Sequence, residues 1–232
     1  MLIIRLFICC LFLSIPSLKS CAQDQTPEQL VSNVQSSLVE VRGISTRQVT
    51  ASDGQVKVGT YHSQGSGVII DTDGIIVTNT HIITNAAQIL VGLSDGKMIE
   101  ARVVYKSDAD FCLLKIDPPY PLRPISWADS SQATAGTTVI ALTNGGTDDE
   151  STHIVSGAIT DLISNPSTNN VEAFELDLDL YHGDSGGPLL DQQGQLLGLI
   201  MGKENSESNK SFAIASNKIQ EEYRQFRGVA AY

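Results

Sequence analysis

An all-β fold built as two barrels is what this sequence predicts, and three observations predict it. Short Val- and Ile-rich runs alternate with turn residues over 38–117. The same pattern returns over 125–215 after a proline-rich break. No helical apolar period survives in either stretch, so barrels rather than bundles bury these runs. At 232 residues the chain is long enough for a sizeable core in one or two compact units.

The elements follow in order. Residues 1–22 read as a targeting segment: Arg5 supplies a positive start, the apolar run over 6–15 is too short to span a bilayer, and Pro16 breaks it. The protein is therefore expected to be exported, to a bacterial periplasm, to a cell-envelope membrane or into the medium. Two endings compete. Ser20-Cys21-Ala22 offers small residues to an ordinary signal peptidase, whereas Leu18-Lys19-Ser20-Cys21 resembles a bacterial lipoprotein box in which Cys21 carries the lipid. We favour lipid attachment, because an otherwise isolated cysteine at this spacing has few other uses.

Within 23–37, Thr26-Pro27-Glu28-Gln29 supplies an N-cap, a first-turn proline and a capping-box partner. They start a short helix with Leu30, Val31 and Val34 on one side. The first barrel, 38–117, is punctuated by turns at Ser52-Asp53-Gly54, at 71–74 and at Ser94-Asp95-Gly96. In the linker, 118–124, Pro118, Pro119, Pro121 and Pro124 cannot donate backbone hydrogen bonds, so the chain there reads as a stiff crossing between barrels. The second barrel spans 125–215. Over 216–232, Ser216 is expected to cap a closing helix through Ile219, Tyr223 and Phe226, ended by Gly228.

Composition narrows the partners. A net charge of −11 argues against nucleic acid, and its diffuse spread fits the solubility of an exported protein. Of four cysteines, Cys9 and Cys10 lie in the targeting segment and Cys112 in an apolar strand, so no disulfide framework is expected.

The stretch that carries chemistry is Gly183-Asp184-Ser185-Gly186-Gly187-Pro188. A serine hydroxyl needs a base beside it and donors for the charge that develops on an attacked carbonyl. Flanking glycines allow backbone angles that aim the N–H groups of Gly183 and Ser185 at one point, an oxyanion hole; alone, the same residues also read as an ordinary turn. Among the histidines, His81 is the preferred base because it directly follows the strand-like run 74–79. His62 and His153 lie in polar, loop-like surroundings and are expected to be solvated, and His182 is too close to Ser185 along the chain. Asp110, next to the apolar run 111–116, is preferred over Asp108 as the carboxylate that orients His81.

In its His, Asp, Ser order the chain resembles the chymotrypsin clan. Its blocks Gly65-Ser66-Gly67-Val68-Ile69-Ile70-Asp71, Thr78-Asn79-Thr80-His81, Asp108-Ala109-Asp110-Phe111, Val155-Ser156-Gly157-Ala158-Ile159 and Ser211-Phe212-Ala213-Ile214-Ala215 are similar to the HtrA (Deg) branch. The likeness covers about 38–223. It implies two six-stranded antiparallel barrels, a serine endopeptidase, and polypeptide substrates such as unfolded or misfolded proteins, without cofactor. Three departures stand out. This branch usually has Asn where Asp184 stands; in the digestive relatives that share the Asp it pairs with a new N-terminus, and no activation site is evident here, so Asp184 needs another partner or solvent. The Gly-Asn-Pro loop of the family is replaced over 142–150. The chain is also expected to carry no PDZ domain. Relatives are often trimers, but nothing in the sequence fixes the oligomeric state.

By the same resemblance the floor of the pocket for the residue before the cut falls at Asp179, which in trypsin-like enzymes selects Lys or Arg. Strand alternation groups Asp179 with Glu175 and Asp177, so the favoured reading turns it to solvent. Leu180, Ile200 and Ile214 then line a pocket for small or medium apolar residues. Two other readings compete with the peptidase: a protease-fold binding or chaperone-like module, and a metal site at Asp177, Asp179, His182 and Asp184. Strand alternation argues against the metal site.

Overall fold

The computed structural model describes residues 27–50, 55–144, 152–181, 183–203 and 210–229. The targeting segment with Cys21, the Thr26 cap, the Ser52-Asp53-Gly54 turn, His182 and most of the 142–150 loop lie outside them. A short helix α1, Pro27–Val34, leads into twelve strands and a closing helix α2, Ser216–Val229. The first six strands are β1 (Leu38–Thr50), β2 (Val56–Ile69), β3 (Ile75–Asn79), β4 (Gln88–Gly92), β5 (Met98–Lys106) and β6 (Phe111–Lys115). The second six are β7 (Thr138–Thr143), β8 (His153–Ser164), β9 (Val171–Leu176), β10 (Pro188–Leu190), β11 (Leu196–Lys203) and β12 (Ser211–Ala215).

Each set closes into an antiparallel barrel, in the orders β1-β2-β3-β6-β5-β4 and β10-β11-β12-β9-β8-β7. The connectivity of the two is therefore the same, although the sequence carries no internal repeat. Closure pairs the strands around each barrel, which is how an all-β chain protects its backbone groups, while the outer part of the β1–β2 hairpin and the far end of β11 keep an open edge.

Burial accounts for the apolar character of the strand runs. β3 is buried at every position and β6 at all but its last, because each is sandwiched between two apolar layers. Ile76 and Leu114 point into the first barrel, while Val77 and Leu113 point into a second cluster shared between barrels. That central cluster joins Val68 and Phe111 of the first barrel to Leu142, Leu190, Leu199 and Ile214 of the second, with Leu30 of α1 and Ile219 of α2 at its margin. The second barrel keeps its own core around Phe174, Leu176 and Ile200. Cys112 is fully buried in β6, and burial pushes its thiol up to about 12.

The proline-rich crossing lies against the first barrel: the Leu122 N–H donates to Thr72 O at 3.2 Å and the Ile125 N–H to Ile69 O at 2.9 Å. Ser216 does not act as expected. Its hydroxyl donates to Ala128 O at 2.9 Å, so it ties the helix to the second barrel rather than accepting from the helix's own N–H groups. Helix α2 also reaches the first barrel. Tyr105 Oη donates to Glu222 Oε2 at 2.7 Å, which raises the Tyr105 phenol to about 12, and Tyr223 Oη donates to Asp71 Oδ2.

The Asp71 contact yields a stability prediction. Burial works to raise this carboxyl, yet hydrogen bonds from Tyr223 and the Asp73 N–H, with Arg227 nearby, hold it below its ordinary value of 3.8. A depressed carboxyl contributes stability above its unfolded value, and that contribution is lost as pH falls. Tyr223→Phe is expected to cost about 1–2 kcal/mol in urea unfolding at neutral pH. The gap to wild type should narrow as the solution is acidified below 3.8. A gap that is absent at neutral pH, or that widens in acid, would contradict this account.

Candidate active site

The site lies where the two barrels meet. β3 ends at Asn79, and the chain turns into a single 3-10 turn, Thr80–Ile83, which carries His81. The histidine thus sits just beyond the strand, on a turn anchored by buried Ile82 and Ile83. Asp110 precedes β6 with φ 57, a left-handed conformation that Asp tolerates better than most residues. That conformation makes Asp110 a hub. Its carbonyl accepts from the Thr80 N–H at 3.1 Å and from Asn79 Nδ2 at 3.0 Å. Its Oδ1 accepts from the His81 N–H at 3.1 Å, and its Oδ2 lies 2.7 Å from His81 Nδ1. A carboxylate oxygen only accepts, so Nδ1 carries the proton of this contact. Asp108 stands apart, in the adjoining turn.

Ser185 arrives from the second barrel. Its turn presses on β2 of the first barrel: the Ser66 N–H donates to Ser185 O at 2.8 Å, and Ser66 Oγ meets Gly183 O at 3.5 Å. Ser66 Oγ also accepts from the Asn144 N–H at 2.9 Å, and Ser66 O accepts from Thr78 Oγ1 at 2.7 Å. Gly65 packs between the Ser185 carbonyl and Ile82, the residue after His81; a methyl group placed there would sit 3.0 Å from the former and 2.5 Å from the Ile82 side chain. Gly183 and Gly186 have φ 104 and 81. Among the described residues the N–H groups of Gly183 and Ser185 donate to no backbone acceptor, while the next N–H, of Gly186, is taken by Ile200 O at 2.9 Å. The Ser185 hydroxyl donates to Met201 O at 3.0 Å.

Around this centre, Asp184 is fully buried rather than solvated. Its Oδ1 accepts from Thr143 Oγ1 at 2.5 Å and contacts His153 Nδ1 at 3.3 Å, and its Oδ2 accepts from the Tyr181 N–H at 2.6 Å. His153 is therefore not a solvated loop residue; it opens β8, with its ring 5.6 Å from that of Tyr181. His62 is also in a strand, exposed on β2. Asp179 faces solvent, with its side chain 71% exposed and paired to Lys203 Nζ at 2.6 Å. That ion pair, with a hydrogen bond from Tyr181 Oη, holds its carboxyl low. Leu180, Ile200 and Ile214 are buried in the core clusters, at 2%, 0% and 2% exposure. Among the described residues no group of three or more His, Cys, Asp or Glu is placed to hold a metal. Sequence reasoning passed over Ser66, Thr143 and Met201; the demand of Asp184 for a partner was the one signal that pointed toward this shell.

Residues 65–199 match the family described as the trypsin-like peptidase domain. The chain is similar to the periplasmic serine endoprotease DegP of Escherichia coli, 36% identical over 163 residues, which cover 67% of this chain and 34% of DegP. It is also similar to the serine protease Do-like HtrA of Lactobacillus helveticus, 34% identical over 176 residues, covering 70% of this chain and 42% of that protein. The match thus spans less than half the length of either relative. An HtrA-type protease solved with a decapeptide shares the fold, with TM-score 0.72 and 22% identity, over 82% of this chain and 63% of the other.

The seat of the turn sets a test. A Cβ on Gly186 would stand 2.0 Å from Ser66 O and 2.7 Å from Thr78 Oγ1, at a φ that side chains avoid. Gly186→Ala is expected to destabilise by about 3 kcal/mol or more, as strain and backbone clash combine. Gly96→Ala, also at positive φ but with open space around it, should cost about 1 kcal/mol. Equal costs in urea unfolding would contradict this account of the barrel contact.

Proposed function

The chain belongs to the trypsin-like peptidase family, and on that premise we propose that it is an exported serine endopeptidase working through His81, Asp110 and Ser185. The observation that carries this reading is the His81–Asp110 pair, in which one carboxylate fixes both the backbone N–H and Nδ1 of the histidine. With Nδ1 so occupied, Nε2 is the nitrogen left to accept a proton. Ser185, once its hydroxyl leaves Met201 O and turns to His81, attacks a peptide carbonyl while His81 takes the proton and then delivers it to the leaving amine. The acyl group is released by water activated at the same nitrogen. The N–H groups of Gly183 and Ser185, left without backbone acceptors, receive the oxyanion.

Substrate has a natural place to lie. Gly202 and Lys203 pair with β12 on one side, whereas pairing with β10 stops at Leu199, so the far end of β11 offers a strand edge beside Ser185. A polypeptide that adds there in extended form brings its backbone past the nucleophile. Asp179 is already neutralised by Lys203 in solvent, so it is no counter-ion for a basic side chain. A small or medium apolar residue such as Val, Ala or Leu before the cut stays the favoured choice, although Leu180, Ile200 and Ile214 are buried in the core and underlie the site instead of walling it. Unfolded or misfolded polypeptides are the substrate class, since they expose such segments in extended form. Export rests on the 1–22 segment, with lipid attachment at Cys21, and accords with DegP being named a periplasmic endoprotease.

One observation favours a second reading, a protease-fold binding or chaperone-like module: the Ser185 hydroxyl bonds to Met201 O and not to His81. Labelling by a fluorophosphonate separates the two. Wild type is expected to be labelled and Ser185→Ala not; an unlabelled wild type would favour the binding module. Ser185→Ala, His81→Ala and Asp110→Asn should each lower turnover by about 10⁴-fold with circular dichroism unchanged. On paired peptide substrates, wild type and Asp179→Ser should both prefer Val over Arg by about tenfold or more, a margin of about 1.4 kcal/mol. A preference for Arg that Asp179→Ser abolishes would overturn the apolar assignment.

A further inference from the structure

Beside the nucleophile lies a carboxylate that the peptidase reading does not use. Asp184 has no exposed surface, and water cannot solvate it. A carboxylate in that position is tolerated only when its oxygens are filled by donors. Tyr181 N–H fills Oδ2 from within the same turn, and two side chains from the β7–β8 hairpin, one on each strand, fill Oδ1. Those two, Thr143 and His153, are directly opposite one another, as the last pair of the β7–β8 ladder. Side chains of a directly opposed pair stand on the same face of the sheet, so the end of this hairpin delivers both donors to one oxygen.

We propose that His153 is a positioning residue for the reaction: through Asp184 it holds the 183–187 turn, and with it the N–H groups of Gly183 and Ser185, in the arrangement that receives the oxyanion. This inference rests on the peptidase reading above. Asp184 lies between the two donors, with Gly183 on one side and Ser185 on the other. Its N–H is fixed to Tyr181 O at 3.2 Å and its carbonyl accepts from the Gly187 N–H at 3.1 Å, so a shift of its side chain moves both neighbours. Removing the His153 donor leaves Thr143, among the described residues, as the sole side-chain donor on the carboxylate. The buried charge then gains by drawing the turn toward water.

Groups from several elements surround His153. It faces Asp184 on one side and the Tyr181 ring on another; Asp179 lies within electrostatic reach, and Lys203 stands 5.7 Å from the same ring. The β7 end that carries Thr143 also places the Asn144 N–H on Ser66 Oγ, 2.9 Å away. The hairpin end therefore grips the nucleophile turn twice, once through Asp184 and once through Ser66.

The test is a double-mutant cycle between position 153, changed to Ala or Phe, and Asp184→Asn. His153→Phe keeps a ring against Tyr181 and removes only the donor, so it separates packing from pairing. With Asp184 present, both variants are expected to lower kcat by about tenfold or more while KM moves less than about twofold. In the Asp184→Asn background, where no charge awaits a donor, the same changes should cost less than about twofold. Urea unfolding midpoints, read over the same cycle, should show the same coupling and serve where Asp184→Asn is itself too slow to assay. Equal losses in both backgrounds, or a loss that appears in KM alone, would overturn the inference while leaving the peptidase assignment standing. A wild type that neither labels with a fluorophosphonate nor cleaves peptides, but shows the coupling in urea, would instead defeat the peptidase reading and keep the His153–Asp184 pair.

Discussion

The seating of one turn on one strand governs this molecule. Ser185 and its neighbours belong to the second barrel, His81 and Asp110 to the first, and the two halves are held in register where the Ser66 N–H reaches Ser185 O. The approach is so close that Gly186 has no room for a side chain against Ser66 O. Gly65 is confined in the same way between Ile82 and the Ser185 carbonyl. Backbone against backbone fixes distances more tightly than side chain against side chain, because it leaves no rotamers to adjust. A site assembled from two separately closed barrels needs that kind of contact to keep its parts in reach.

Apolar packing supplies the force and hydrogen bonding the alignment. The central cluster draws strands of both barrels together over Val68, Phe111, Leu142 and Leu199, with no directional preference of its own. Direction comes from the polar shell above it, where Ser66, Thr78, Asn144 and Asp184 are joined by hydrogen bonds around the contact. Helix α2 makes a second link, tied to the second barrel through Ser216 and to the first through Tyr105 and Tyr223. The barrels are thus joined by two separate sets of hydrogen bonds.

Asp184 shows how a buried carboxylate in a turn is accommodated. A carboxylate in a buried turn costs free energy unless it is met by donors, and here the donors come from the end of a hairpin and not from a chain terminus. Those contacts tie the 183–187 turn to the end of the β7–β8 ladder.

Much of this was legible in the sequence by itself. Short Val- and Ile-rich runs, turn residues and the proline-rich crossing specify two β-barrels, because local geometry follows from residue type over short windows. Doubly apolar runs such as Phe111-Cys112-Leu113-Leu114 announced strands buried on both faces. The order and contexts of His81, Asp110 and Ser185 were readable too, since each stands at the edge of a strand-like run. Tertiary structure alone decided the rest. The common connectivity of the barrels, the left-handed turn at Asp110, the pairing of Asp184 with His153 across 31 residues and the hydroxyl of Ser216 turned to Ala128 all depend on which segments meet in space. A sequence window records what a residue prefers. It does not record which distant group arrives to satisfy it, and for buried polar side chains that arrival sets the role.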